Sequence, residues 1–587
     1  MKSILNPFYD IIRYLGIVRN LPDYFDPQER RLVMQALVIG VTVWGVVYGL
    51  RIGVHWAFDQ VMAWVEQGPS PLLVFLPLAL GALIMASLAR YRTSLVYYRD
   101  DQGRTRELID VEADGLERAI ALYYASEPSL EPALLGTEGV AARWELPTFT
   151  LALRKLLATF ATLTTGGSGG LGASAALIGE SIAAGFFKPR GNVAPASLRR
   201  VNRLQAIWQW WRSRGPDDLQ TAQLSGIAAA MSTLLGAPFA AAFFATEVMY
   251  RRRPVVEKLA YALIAALTAF FLTEIVSHHA VMFQVADLPA PPLTPGYYAA
   301  LAFLAVVISL VSHYFGRLRT SFEEAFHHQQ PAAWRRHLLG AGFAGLIALA
   351  AAALTGQGLD LVLGPGEGAI LAGLAGQLTL RVALVGLVAK LLATLATIGS
   401  GGSAGLLVPS LFFGAMIASA LAPVTGYAAA TLIVPAMTAS LVTIVNVPLA
   451  AILFVIEVFG AQYMVPALVV LVVSLIFAHE TSIYRTQREH DLSREILPGY
   501  SARRVVVPEA WAGQTIVDLR IRNRYGLNVI GLLERVQANG QVQHRVALNP
   551  SVYRPLQAGE ILVVLGENEK LDALEAASLE ETFGEGE

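Results

Sequence analysis

The segment "KLLATFATLTTGGSGGLGASAALIGESIA", Lys155 to Ala183, recurs as "KLLATLATIGSGGSAGLLVPSLFFGAMIA", Lys390 to Ala418. The copies align without a gap at an offset of 390 − 155 = 235. About half of their positions are identical, more than Ala/Leu/Gly-rich composition gives by chance. In each copy an apolar run stops at a glycine cluster and a second apolar run begins. A second pair, "LLGAPFAAAFFATEVM" and "IVNVPLAAILFVIEVF", sets Pro238 over Pro448 and Glu247 over Glu457, with an offset of 448 − 238 = 210. The difference of 235 − 210 = 25 fits a longer connection in the first half, the basic, tryptophan-rich "FKPRGNVAPASLRRVNRLQAIWQWWRSRGPDD". The chain therefore reads as two homologous halves, about 31–290 and 291–486.

Composition says what medium those halves occupy. Of 587 residues 55% are hydrophobic and 15% charged, and the mean hydropathy is +0.50. That is too apolar for a soluble enzyme of this size and places the chain among membrane proteins. A net charge of −1 offers no field for nucleic acid. With no cysteine, disulfides and thiolate metal sites are excluded.

Apolar runs at Leu32 to Ala57, Pro71 to Arg90, Val255 to Ser277, Tyr297 to Gly316, Leu338 to Leu354, Leu380 to Ile398 and Tyr463 to Ala478 are near the ~20 residues that cross a bilayer. Between them, Gly170 to Phe187, Ser225 to Leu235, Ala237 to Tyr250, Gly405 to Leu421 and Val447 to Gly460 are short or broken by Gly and Pro. Broken helices persist in a membrane only where their freed backbone is buried in protein or lines a cavity. Duplicated discontinuous helices usually place a substrate site where the halves meet.

The glycine runs fit an anion. A helix start carries free N–H groups and about half a positive charge. It can therefore hold a dehydrated anion without the grip of a full cation. Gly169, Gly170, Leu171, Gly172 and Ala173 open one apolar helix, and Gly405, Leu406, Leu407 and Val408 open its counterpart. Small residues also permit close helix packing. For either run alone that reading is the better one, and the gapless duplication before two short helices favours the site.

These motifs, with "GLLVP" at Gly405 to Pro409, resemble the CLC family of chloride channels and chloride/proton exchangers over most of residues 31–486. The resemblance implies an all-α polytopic membrane domain of two inverted repeats, one pore per subunit, homodimers and a small anion such as chloride as cargo. Tyr484 resembles the family's tyrosine whose hydroxyl donates to the central anion; by position alone it reads as an interfacial aromatic. The family's upstream serine motif is poorly matched. Its nearest counterpart is "VEADGLERAIALYY", with Gly115 in place and Asp114 where an anion would be repelled.

The family's gating, proton-carrying glutamate falls on Gly172, and its second, cytoplasmic-side glutamate falls on Val248. Proton coupling needs a titratable relay. Both stations are missing, so the expectation is a passive, proton-uncoupled anion channel; the alternative is an exchanger with other titratable groups. Glu247 and Glu457 read as structural helix-end carboxylates, Glu247 with Arg251 at i+4. Lys155 and Lys390 either snorkel or add positive potential near a pore mouth.

After the charged stretch 487–502 the pattern changes to "RVVVP", "LNVIGLLERV", "QVQHRVAL" and "ILVVLG", short strands with a hairpin signal at Asn539-Gly540. "TIVDLRI" and "ENEKLDALEAA" read as helical. Residues 503–577 resemble a TrkA C-terminal (RCK C-terminal) module, a small α+β domain that binds a ligand or dimerises. Residues 1–30 lack a signal-peptide core and read as a cytoplasmic segment. Arg251 to Arg253 and the soluble tail favour cytoplasmic termini in a plasma, or inner, membrane, although the basic loop Lys188 to Arg214 blurs the charge rule. A twofold repeat argues against a potassium transporter, which needs four filter segments. No nucleophile–base pair, His cluster, metal spacing or "GK[ST]" points to an enzyme, a metal or a cofactor.

Overall fold

The computed structural model describes residues 27–91, 96–99, 105–125, 143, 146–188, 211, 216–249, 256–277, 282–283, 285, 288–327, 332–477, 483–484, 487, 494–497, 500–538, 541–567, 570–571 and 573–574. Most described residues between 27 and 487 form one compact unit, and those from 494 onward a second.

The first unit is helical. In chain order it contains Pro27–Glu66 (α1), Phe75–Arg90 (α2), Leu116–Tyr124 (α3), Phe149–Thr164 (α4), Gly172–Phe187 (α5), Pro216–Leu235 (α6), Pro238–Glu247 (α7) and Val256–Ser277 (α8). Then follow Pro295–His327 (α9), Ala333–Thr355 (α10), Glu367–Leu374 (α11), Leu380–Gly399 (α12), Leu407–Thr425 (α13), Ala429–Ser440 (α14), Pro448–Phe459 (α15) and Met464–Phe477 (α16). The second set repeats the packing of the first. Helix α6 packs on α1, α5, α7 and α8, as α14 packs on α9, α13, α15 and α16.

Apolar side chains face outward as well as inward: Trp56, Leu76, Ile275, Phe303, Val388 and Ile476 are all exposed. Such a surface is solvated by lipid. All but the last of the long apolar runs coincide with helices long and apolar enough to span a membrane. The last, from Tyr463, is the 14-residue α16. Two pieces expected to be short are longer. Helix α6 starts at Pro216 and has 20 residues. Helix α13 has 19, because its Leu/Phe/Met/Ala run continues to a left-handed Gly426 cap.

The halves meet through equivalent residues. Gly170 and Gly405 form an antiparallel bridge, the arrangement that inverted repeats produce on their common axis. Gly170 N–H donates to Gly405 C=O at 2.7 Å, and Gly405 N–H to Gly170 C=O at 2.5 Å. Around them each half lends the other a hydroxyl. Ser168 N–H donates to Thr397 Oγ1 at 3.1 Å, and Ser403 N–H to Thr162 Oγ1, also at 3.1 Å. The loops turn at Gly166 (φ +103°) and Gly401 (φ +101°), a region that only glycine enters at low cost.

The same exchange occurs at α7 and α15. Glu247, ending α7, accepts from Leu449 and Ala450 N–H at the start of α15. Glu457 accepts from Phe239 and Ala240 N–H at the start of α7, at 3.0 and 2.8 Å. Each carboxylate thus caps the other half's helix, which satisfies donors that Pro238 and Pro448 leave beyond the first position. Arg251 lies outside the described residues, as do Arg252, Arg253 and 189–210 of the basic loop.

In the second unit a five-stranded antiparallel sheet runs in the order β3-β4-β7-β5-β6, with β3 Arg494–Leu497, β4 Tyr500–Val506, β5 Asn528–Ala538, β6 Gln541–Leu548 and β7 Ile561–Glu567. The labels β1 and β2 belong to a two-stranded sheet, Val96–Arg99 and Thr105–Leu108. The larger sheet starts inside the stretch read as a linker, where β3 pairs with β4. Alternation along β7 sends Leu562 and Val564 into a core with Val505, Trp511, Ile521 and Leu527. The pairing of Ala538 with Gln541 closes a two-residue hairpin whose own residues, Asn539 and Gly540, lie outside the described ones. "TIVDLRI" is mostly a turn, with a helix only at Ile521–Tyr525. There Asp518 accepts from the Thr515 hydroxyl and N–H, which hold its carboxyl below the usual range. These side-chain bonds compete with helical ones.

A Cβ on Gly405 would meet backbone, Ala173 N at 2.8 Å and Gly170 O at 3.0 Å. Gly405→Val should destabilise the membrane unit by about 3 kcal/mol, read as a lowered thermal midpoint in detergent; an unchanged midpoint contradicts the bridge. Glu457→Ala should cost about 1–3 kcal/mol by orphaning two donors, and Glu457→Gln less, because its amide oxygen still accepts. Equal effects would contradict the capping role.

Candidate functional site: two helix starts at the repeat interface

The glycine loops lie together and away from lipid. Leu171, Ala173, Leu406, Leu407 and Val408 are all buried. The starts of α5 and α13 touch: a Cβ on Gly172 would lie 2.9 Å from Leu407 Cδ2, and one on Gly170 2.8 Å from Val408 Cβ. Close packing is thus a real role for these glycines.

Of the ten residues proposed to face an anion, three have their N–H groups engaged within the protein. The N–H groups of Gly170 and Gly405 are spent on each other, and that of Gly169 on Gly364 C=O at 3.2 Å. These three shape the loops and are not donors to a ligand. The first turn of α5, from Gly172, and that of α13, at Leu407 and Val408, hold N–H groups with no intrahelical acceptor. Neither helix has a side-chain cap. Pro409 has no N–H to offer. Two macrodipole ends therefore converge where the halves meet, each equivalent to about half a positive charge.

Lys155 and Lys390 are fully buried, so neither snorkels. Lys155 Nζ donates to Ala113 C=O at 2.7 Å, and Lys390 Nζ to Gly364 C=O at 2.7 Å. Both carbonyls belong to left-handed residues, Ala113 at φ +55° and Gly364 at +65°, each two before a left-handed glycine, Gly115 or Gly366, that opens α3 or α11. "ADG" and "GPG" are therefore equivalent turns, a third element of the duplication that residue identity conceals. Each lysine brings its Nζ donors to the carbonyls of a helix entry.

Tyr484 is fully buried, which excludes an interfacial position. It lies against Asp114, with Arg319 and Glu117 nearby. Ser174 Oγ, in the first turn of α5, donates to Asp114 C=O at 3.3 Å. So the starts of α3 and α5 and the tyrosine do converge, around an aspartate. Val248 is buried and carries no titratable group; its carbonyl accepts from Gln487 Nε2 at 2.8 Å. At Gly172 no side chain stands between α5 and Leu407.

Several buried acids were not evident from the sequence, and one of them lies inside a short helix of the site. Glu180, two turns into α5, pairs with Arg143 Nη2 at 3.1 Å and accepts from Gln223 Nε2 at 2.8 Å, with both charged side chains fully buried. A lone acid in the apolar run "ALIGESIA" was the available signal. Among the described residues no His/Cys/Asp/Glu group could hold a metal ion.

Residues 126–479 match the family described as voltage gated chloride channel, and residues 501–578 match the TrkA-C domain. Among solved structures, the chain resembles a CLC-type fluoride/proton antiporter at 21% identity, over 78% of this chain and 98% of that one, with a TM-score of 0.56. It resembles a slow cyanobacterial Cl−/H+ antiporter at 18% identity, over 77% and 96%, with a TM-score of 0.59. A eukaryotic CLC transporter aligns at 15% identity, over 89% and 87%, with a TM-score of 0.57. At these identities the likeness is one of fold. No curated protein matches. The exchanged glycine bridge, the paired helix starts and the family match over more than half of its length agree: this multi-pass membrane protein belongs to the voltage-gated chloride channel (CLC) family and carries a C-terminal TrkA-C domain.

Proposed function

We propose that the protein conducts chloride or a similar small anion passively, without moving protons. The anion is held by the first-turn N–H groups of Gly172, Ala173, Leu407 and Val408, with Tyr484 as a side-chain donor; Leu171 and Leu406, the N-cap positions, frame the site. The observation that carries this reading is the bare backbone at Gly172. A carboxylate there would compete with the anion for the same donors and carry protons past it; Gly172 can do neither, and Val248 supplies no second station. The working unit is a homodimer in the plasma or inner membrane with both termini cytoplasmic. The TrkA-C domain, 503–577, binds a small ligand or joins subunits.

A second reading keeps one specific support. The Glu180–Arg143 pair is a fully buried carboxylate in the membrane unit, and two of the similar folds belong to anion/proton antiporters. An exchanger that used Glu180 would need no acid at 172 or 248.

Purified protein in potassium-loaded vesicles with a chloride gradient, and a potassium ionophore to balance the charge, separates the two. Chloride efflux that collapses the gradient with no proton movement is expected; uphill proton uptake driven by chloride overturns the reading. Gly172→Glu restores an acid at the helix start, and its Cβ meets the Leu407 side chain, Cδ2 at 2.9 Å and Cβ at 3.2 Å, which must shift by a few tenths of an ångström. Its flux should fall about tenfold or more at neutral pH, where a carboxylate is ionised, and recover as the pH drops. Unchanged flux and pH response would show that position 172 does not face the anion.

A further inference from the structure

Beside α3 lies a cavity of about 360 Å³ lined by Asp114, Gly115 and residues of α9, among them Arg319 and Glu323. Asp114 is 1% exposed. Its Oδ1 accepts from Leu116 N–H at 2.8 Å, taking a first-turn donor of α3, while Oδ2 has no hydrogen-bond partner by distance and angle. The same carboxylate lies against the Tyr484 hydroxyl and is tied through its own backbone carbonyl to Ser174 of α5. It thus stands among the donors of α3, α5 and Tyr484, the groups a small anion would use. The equivalent residue of the other half, Pro365, brings no charge to the start of α11.

Opposing influences meet on this carboxyl. Burial and the neighbouring Glu117 favour its neutral form, while Arg319, the Leu116 N–H and Lys155 favour the charged one. Arg319 is itself divided, donating to Glu117 Oε2 and Glu323 Oε1, each at 2.9 Å, and to Ile483 C=O at 2.7 Å. Arg118 and His327 complete the charged lining. Glu112 is engaged by Arg336 and by His337 Nε2 at 3.2 Å.

We propose that Asp114 is a tethered anion: its ionised carboxylate occupies the cavity end of the anion pathway, and its protonation admits a free anion in its place. This rests on the pathway proposed above. The consequence is acid activation, with the sign set by charge. An ionised carboxylate both repels an anion and holds its donors; a protonated one does neither. While Asp114 is mostly ionised, each unit fall in pH raises its protonated fraction about tenfold, and flux rises with it. Asp114→Asn, neutral at every pH and able to keep the Leu116 bond, should conduct at a high rate that does not depend on pH.

The test is chloride efflux from potassium-loaded vesicles, with a potassium ionophore balancing the charge, at equal internal and external pH stepped from about pH 8 to about pH 5, for the full chain and for Asp114→Asn, with Asp114→Ser as a second neutral variant. Acid-activated flux in the parent and high, flat flux in either variant support the inference. Activation that persists in both variants would assign the titration to His327, His337 or Glu112 and overturn it. Equal, pH-indifferent flux in all three proteins overturns the role of Asp114 and leaves the pathway standing. No flux from any of them at any pH overturns the pathway and this inference together. Because the parent profile needs no substitution, flux that is flat or falls with acid is decisive even where a variant fails to fold.

Discussion

The hydrogen bonds exchanged by Gly170 and Gly405 are the constraint on which the rest of the fold depends. Two helices start inside a membrane, where an unsatisfied N–H or C=O is costly. The loops before them must therefore find partners within the protein, and they find them in each other. The bridge fixes how closely the halves approach, and the hydroxyls of Thr162 and Thr397 extend the exchange on either side. The first turns of α5 and α13 then keep N–H groups that no intrahelical carbonyl takes up. These are the donors of the proposed anion site.

Charge is handled by the same reciprocity. Glu247 and Glu457 reach across to cap the helices of the opposite half. Lys155 and Lys390 stabilise two matching left-handed turns while keeping their charge out of lipid. Polar groups taken out of water are tolerated where they are hydrogen-bonded, and these four side chains bond to backbone groups at symmetric positions. The two halves differ where one carries Asp114 and Glu180 and the other Pro365 and Ala415. Function specific to this chain is to be sought in those differences.

Much of the membrane unit was legible because the duplication preserved residue identity where geometry demands it: glycine at 166 and 401, serine at 168 and 403, lysine at 155 and 390. Duplication was hidden where different residues adopt one conformation. Gly236 and Asn446 share a left-handed φ of +67° and +66°, since asparagine tolerates that region. The "ADG" and "GPG" turns were likewise unmatched by spelling. Apolar run length misjudged α13 and α6, because small and polar residues such as Ser225 and Thr221 continue a helix once it is buried. That Glu247 caps α15, or that Asp114 meets Tyr484, depends on contacts hundreds of positions apart. No local pattern encodes them. The strands of the tail were read from alternation, while "TIVDLRI" turned early because Thr515 and Asp518 bond locally.

The proposed site puts a dehydrated anion between the starts of α5 and α13. Crystals grown in bromide make that position visible by anomalous diffraction. A peak is expected within hydrogen-bonding distance of the N–H groups of Ala173 and Leu407 or Val408. Ordered bromide elsewhere in the membrane unit, with none between those two helix starts, would contradict it.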